Sequence, residues 1–238
     1  MKPVRFSKLI IAFCLLVGST WLCASAFAQE EIKGEVPTFK MTGDIALLSN
    51  YIDHGLTQTN KDPSLQGAFS FNFGPQFKLG VWGSNINYQG PEHFLLKLNA
   101  ELKIVFTSTS DAKLGYYDNR FFKTATRDGN TVYLTINTLG YKIKFESNSN
   151  WEGTGLSTTY FALGKVFEIN ANWKWDNEIG YSMLGSKVYG DYFDVRTAAI
   201  YKGGSNVFYH IALTATSSPG QFNGAGDIMP YVGAMVSF

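Results

Sequence analysis

The sequence predicts an all-β fold: a transmembrane antiparallel up-and-down β-barrel of about 12 strands. Three observations carry the prediction. Apolar and polar residues alternate in short segments, the connections alternate between long and short, and the last segment runs to the final residue of the chain. In that segment Ile228, Pro230, Val232, Ala234, Val236 and Phe238 occupy every second position. A barrel's last strand pairs with its first, because an unpaired strand edge in hydrocarbon leaves backbone donors and acceptors unsatisfied.

The composition agrees. Hydrophobic residues make up 45% of the chain, yet mean hydropathy is only −0.06. No segment after the N-terminal region is long and apolar enough for a transmembrane helix, so a membrane protein with this average must carry its apolar residues in alternation. Aromatics at 16% suit interfacial girdles, and 24 glycines suit turns and close strand packing.

The first 28 residues read as a secretory signal peptide. Lys2, Arg5 and Lys8 are its basic region, Leu9 to Val17 its apolar stretch, and Ala26-Phe27-Ala28 a cleavage site before Gln29. The apolar stretch is too short to span a bilayer, which takes about 20 helical residues. Residues 29–39 are expected to form a short periplasmic segment and 40–238 the barrel. Cys14 and Cys23 both precede the cut, so the processed chain holds no thiol for a disulfide, a metal or nucleophilic catalysis. The 20 Lys and Arg less the three in the signal leave 17 against 19 Asp and Glu, which is no footprint for nucleic acid.

Strands follow from the alternation. Leu65 to Phe73 sets Leu65, Gly67, Phe69, Phe71 and Phe73 against Gln66, Ala68, Ser70 and Asn72. Phe94 to Phe106 is the strongest case, although Leu95, Leu98, Leu102 and Val105 also fit a helix. The helix would throw Leu96 and Ile104 onto its polar side, whereas a strand misplaces only Leu95 and Val105. Further strands are expected near 40–51, 77–89, 111–120, 130–138, 141–148, 157–169, 173–184, 190–201, 206–216 and 227–238. In 77–89 the apolar side changes from Phe77, Leu79 and Val81 to Ile86 and Tyr88, which a bulge near Gly83 would explain. Lys165 interrupts an otherwise apolar face. Odd-numbered connections come out long and even-numbered ones short, with 90–93 the weakest fit to that rule. A soluble β-sandwich also alternates but has no reason for such asymmetry.

If the more apolar face meets lipid, the other face lines the lumen. The expected lining is Gln66, Ser70, Asn72, Lys97, Asn99, Glu101, Lys103, Lys142, Lys144, Glu146, Lys174, Glu178, Asp194 and Arg196. Charge at a lipid-facing midplane would cost about 2–4 kcal/mol per Lys or Arg, so the alternation is enforced. These charges either discriminate ions or pair across the lumen and brace the wall. The first connection, Ile52 to Ser64, either folds inward or stays an exposed loop. Asp53, His54 and Gln58 would form the constriction in the first case. Only three histidines exist, His54, His93 and His210. They are scattered, lack metal-ligand spacing and sit in no hydrolase motif, so neither enzyme nor cofactor is expected.

The stretch Ser49-Asn50-Tyr51-Ile52-Asp53-His54-Gly55-Leu56-Thr57-Gln58-Thr59, followed by Asp62-Pro63-Ser64-Leu65-Gln66-Gly67, resembles the opening pattern of the TorF family of porins. Gly80-Val81-Trp82-Gly83-Ser84-Asn85-Ile86 resembles its G-x-W-x-S-N strand, and Glu101 to Phe106 is a poorer match to its E-L-D-L-Y segment. The similarity covers about residues 43–106. His54 stands where that family usually has Arg, so selectivity set by the Arg does not carry over. The resemblance implies an outer-membrane barrel that conducts small hydrophilic solutes, with lipid as its surroundings. The family leaves the solute open. Phe238 likewise resembles the signal that barrel-assembly machinery reads. A monomer is expected, since trimeric porins are larger. The alternatives are a closed structural or adhesive barrel and, less favoured, a lipid-modifying enzyme.

Overall fold

The structure, a computed structural model, describes residues 39–88, 90–186 and 188–238. The expected signal peptide, and the expected periplasmic segment up to residue 38, lie outside the described residues. The described chain is an antiparallel barrel whose strands run in sequence order around the wall and close on themselves. In chain order β1 is Phe39–Leu48, β2 Ile52–Asp53, β3 Leu56–Thr57, β4 Ser64–Phe73, β5 Phe77–Asn85, β6 Phe94–Thr107 and β7 Ser110–Phe122. Then follow β8 Gly129–Thr138, β9 Tyr141–Asn148, β10 Thr158–Glu168, β11 Trp173–Met183, β12 Tyr192–Lys202, β13 Val207–Thr216 and β14 Met229–Ser237. All but β2 and β3 belong to the wall, which therefore has the expected 12 strands.

Closure uses the first and last segments. β1 pairs with β4 on one side and with β14 on the other, in the register Asp44↔Ser237 to Leu48↔Gly233. Phe238 extends that ladder: its N–H donates to the Gly43 carbonyl and its own carbonyl accepts from the Gly43 N–H, both at 2.8 Å. No barrel edge is left for another chain to pair with.

The faces are inverted relative to a soluble protein. Ile211, Leu65 and Leu47 are 65%, 61% and 59% exposed on the outside, while Glu146 and Asp194 are buried within. Only a surrounding hydrocarbon makes such an exterior favourable. Lys165 does stand on the outer face, which explains its place in an apolar run. Its ammonium lies 3.7 Å from the Tyr141 ring centroid and donates to the Leu139 carbonyl at 2.8 Å. The side chain thus carries its charge to the turn at the barrel rim.

Two expectations are corrected at β5. The strand ends at Asn85, and its registers with β4 and β6 run unbroken through Gly83, so there is no bulge there. Ile86 and Tyr88 change sides because they lie beyond the strand, where burial in the loops replaces alternation. The connection after it is accordingly 86–93, long enough to obey the long–short rule. β1 likewise ends at Leu48 rather than at residue 51. The wall's register shift falls in β6, between Val105 and Thr107, just past the Val105↔Asp111 pair, so Val105 keeps the lumen-side parity of Lys103 and is exposed at the short-turn end. Leu95 points inward and packs with Tyr51 and Ile86.

Candidate functional site

The lumen is shaped chiefly by the first long connection, 49–63. It does fold inward. Asn50 holds its base, accepting from the Thr57 hydroxyl at 2.6 Å and the Thr59 hydroxyl at 3.1 Å. Between them β2 and β3 form a tiny hairpin, Ile52↔Thr57 and Asp53↔Leu56. At its tip Gly55 has φ +76°, and an added Cβ would lie 2.6 Å from Asp194 Cβ and 2.7 Å from Thr216 Cγ2 on the far wall. Only glycine fits there, in conformation and in space.

That hairpin sets Asp53 and His54 against the lumen wall. His54 Nε2 meets Glu146 Oε2 at 2.7 Å, its ring stacks on Tyr160 at 3.8 Å between centroids, and its carbonyl accepts from the Tyr192 hydroxyl at 3.0 Å. Glu146 also pairs with Lys144 at 2.8 Å, and Asp53 lies 3.8 Å from both His54 and Lys97. Burial works against a charged imidazole, but Asp53 and Glu146 outweigh it and hold the His54 pKa above its ordinary value. Burial would raise the Asp53 carboxyl; His54 and Lys97 overcome it and hold Asp53 low.

Gln58, also buried, lines the same cavity, and its carbonyl accepts from Arg127 at 3.1 Å. Arg127 is itself buried, pairs with Glu152, donates to the Tyr88 carbonyl at 3.1 Å and lies 4.5 Å from the Phe121 ring centroid. Four loops therefore meet on one guanidinium. Beside it a dry core joins Leu56, Tyr88, Leu184, Tyr192, Phe222 and Ala225, with Trp151 and Tyr189 against it. Together these close much of the long-loop end.

The other sequence-chosen residues all point inside. Lys103 pairs with Asp111 at 3.6 Å, Lys142 with Glu178, and Arg196 with Asp176 at 2.5 Å. Glu101 accepts from Lys78 at 3.1 Å and from the Tyr133 hydroxyl at 2.6 Å. Asp194 accepts from the Tyr160 hydroxyl at 3.3 Å, not from Arg196. Lys174 reaches Glu168 at 2.8 Å on the short-turn side. Gln66 donates to Ser64 at 3.3 Å, and Asn72 to the Lys40 carbonyl and to Thr42, both at 3.2 Å. Asn99 and Ser70 line a cavity of about 380 Å³ beneath the hairpin, with Lys97, Lys144, Trp82, Tyr117, Asn119 and Tyr160 among the other walls. Sequence reasoning missed Trp82, Tyr117, Asn119 and Tyr160, although strand parity would have placed them inside. Arg127 and Glu152 gave no periodic signal, since they lie in loops.

His93 is exposed at the foot of β6, and His210 faces inward with its ring 5.5 Å from that of Tyr231. Among the described residues no three His, Cys, Asp or Glu side chains come together as a metal site.

Comparison with known proteins gives a fold and a fragment of family. A family described as "Bacterial protein of unknown function (Gcw_chp)" matches residues 33–107. No curated protein matches the chain. Among solved structures the KdgM porin superposes with a TM-score of 0.56 at 11% identity, over 83% of this chain and 99% of that one. The same porin in complex with disordered oligogalacturonate gives 0.54 at 11% identity, over 84% and 99%. The NanC porin gives 0.58 at 9% identity, over 82% and 98%. At such identities the likeness shows the fold alone.

Proposed function

We propose that the chain is an outer-membrane porin that passes small hydrophilic solutes down their gradients through a narrow, charge-lined lumen. One observation carries the reading. The wall is oily outside and polar inside, and a cavity lies within it under an inserted hairpin. Twelve strands stand between the eight that side chains fill and the 16 to 18 that leave a wide aqueous channel. The long loops then face outward and the short turns the periplasm, with both strand termini on the periplasmic side. Asp53, His54 and Gln58 form the constriction, and the lumen residues from Gln66 to Arg196 form the conduit. The paired charges favour bracing over a bare ion filter. No reacting group and no cofactor enter this reading.

The kinship with the TorF family belongs to the same proposal, supported by the match over 33–107 overlapping the stretch that carries the resemblance. So do the signal peptide at 1–28, the recognition of Phe238 by the assembly machinery and a monomeric barrel in lipid. The solved porins support the transport class, and one of them is described in complex with disordered oligogalacturonate.

Refolded protein in a planar bilayer should show discrete conductance steps, and a salt gradient should give the ion preference. A membrane that stays silent at all voltages rules the channel out. The dry core at the long-loop end favours a second reading, a closed structural barrel. Only that reading predicts silence both in the native chain and in a chain with loop 49–63 shortened.

A further inference from the structure

We infer that the cavity beneath the 49–63 hairpin is a binding subsite for a neutral saccharide. The inference rests on the proposed passage for the solute's way in, and goes beyond it by naming the solute class.

The register of β5, β6 and β7 builds one continuous patch. Trp82 faces Lys97 across the β5–β6 ladder, and Lys97 faces Asn119 across β6–β7, with Asn99 opposite Tyr117 beside them. The Lys97 ammonium lies 5.2 Å from the Trp82 ring centroid and 5.7 Å from that of Tyr117. Room for the Asn99 amide comes from Gly80, where an added Cβ would stand 2.4 Å from Asn99 Oδ1.

Asn119 supplies the second observation. It is 6% exposed and lines the cavity. Its Nδ2 donates to the Thr131 hydroxyl at 3.0 Å, while its Oδ1 finds no partner among the described residues. Turning the amide over leaves the nitrogen without a partner instead, so in either orientation one buried polar atom of this cavity-lining side chain is left unpaired.

Charge then narrows the class. The cavity is lined by four carboxylates, three ammonium groups and the His54 imidazole, so it sits within about one charge of neutrality. Glu146 is already satisfied by Lys144 and His54. A carboxylate ligand would meet as many acids as bases. A neutral polyol meets amide and hydroxyl partners for its O–H groups and ring faces for its C–H groups. At about 380 Å³ the cavity lies near the small end of ligand pockets, which run from about 300 to 1,000 Å³. That suits one or two pyranose rings.

The test is equilibrium binding of maltose to the full chain refolded in detergent micelles, followed by calorimetry and saturation-transfer NMR. Maltose should bind saturably, and Asn119→Leu and Trp82→Ala should each weaken it by about five-fold or more. Lys202→Ala, exposed at the short turn after β12, should leave it unchanged. Digalacturonate, of similar size but doubly charged, should bind no more tightly than maltose. Any of three results overturns the inference in a protein that keeps heat-modifiable gel mobility. These are no saturable maltose signal, maltose binding untouched by Asn119→Leu, or digalacturonate bound more than about ten-fold tighter, which marks an anion site. If Trp82→Ala does not fold, Asn119→Leu alone decides. Conductance without sugar is read separately, so a silent membrane with intact maltose binding removes the passage and keeps the subsite.

Discussion

The two ends of this barrel solve the same problem in opposite ways. At the short-turn end the backbone reverses in as few as two residues, as at Leu139-Gly140, where both have positive φ. Turn conformation does the work, and Leu139 is left 70% exposed. At the long-loop end the connections converge into a packed core around Phe222, pinned by Arg127 and Glu152. The first end depends on local geometry and the second on contacts between segments far apart in sequence. Any movement that opens the lumen therefore belongs to the second, since packed contacts can be exchanged while a two-residue turn has nothing to release.

The largest effect should come from Arg127→Ala. It leaves the Glu152 carboxylate beside a buried, dry region without its partner, at a cost of about 3–5 kcal/mol to the loop cap. Limited proteolysis should cut the loops quickly while the barrel keeps its heat-modifiable mobility. A protease-resistant variant would mean that the guanidinium does not pin the cap. Leu56→Ala, at 1% exposure, should loosen the hairpin by about 2–5 kcal/mol and increase single-channel conductance. Unchanged conductance would separate the hairpin from the constriction. At the other end Gly140→Ala forces a side chain into φ +77°, about 1–2 kcal/mol, and should slow folding without altering conductance.

A pH effect comes next and again touches only the loop end. The His54 pKa is raised in the folded state above its ordinary 6.5. Its stabilising contribution is therefore complete below that ordinary value and lost as pH rises through the folded value. Hairpin protection should fall on passing from mildly acidic to alkaline pH, read by proteolysis of 49–63, and His54→Ala should abolish the dependence. The smallest effect is expected from Lys61→Ala, whose pair with Asp227 at 3.4 Å is exposed and is worth about 0–1 kcal/mol. A large loss there would show that the cap extends to its solvent face.

The wall was readable because a strand repeats every two residues whatever surrounds it. Leu65 to Phe73 and Phe94 to Phe106 show their inside and outside faces without any knowledge of the neighbours. The readings slipped where that repeat ends, at Ile86 and Tyr88, whose burial has no period and so imitated a bulge at Gly83. The same reason hid Arg127 and Glu152. His54 and Gln58 were visible as candidates only because their loop is long and polar. Nothing in it says that His54 reaches Glu146, 92 residues away, or that Gln58 meets Arg127.

The sequence by itself determined how many times the chain crosses the wall, which side chains face lipid and which connections are long, because each is written in local alternation and turn chemistry. The tertiary structure alone decided that the first loop turns inward, that most lumen charges meet an opposite partner and that an amide on β7 is left with an unpaired atom. Those outcomes depend on closing the barrel, which brings together side chains that no local pattern relates.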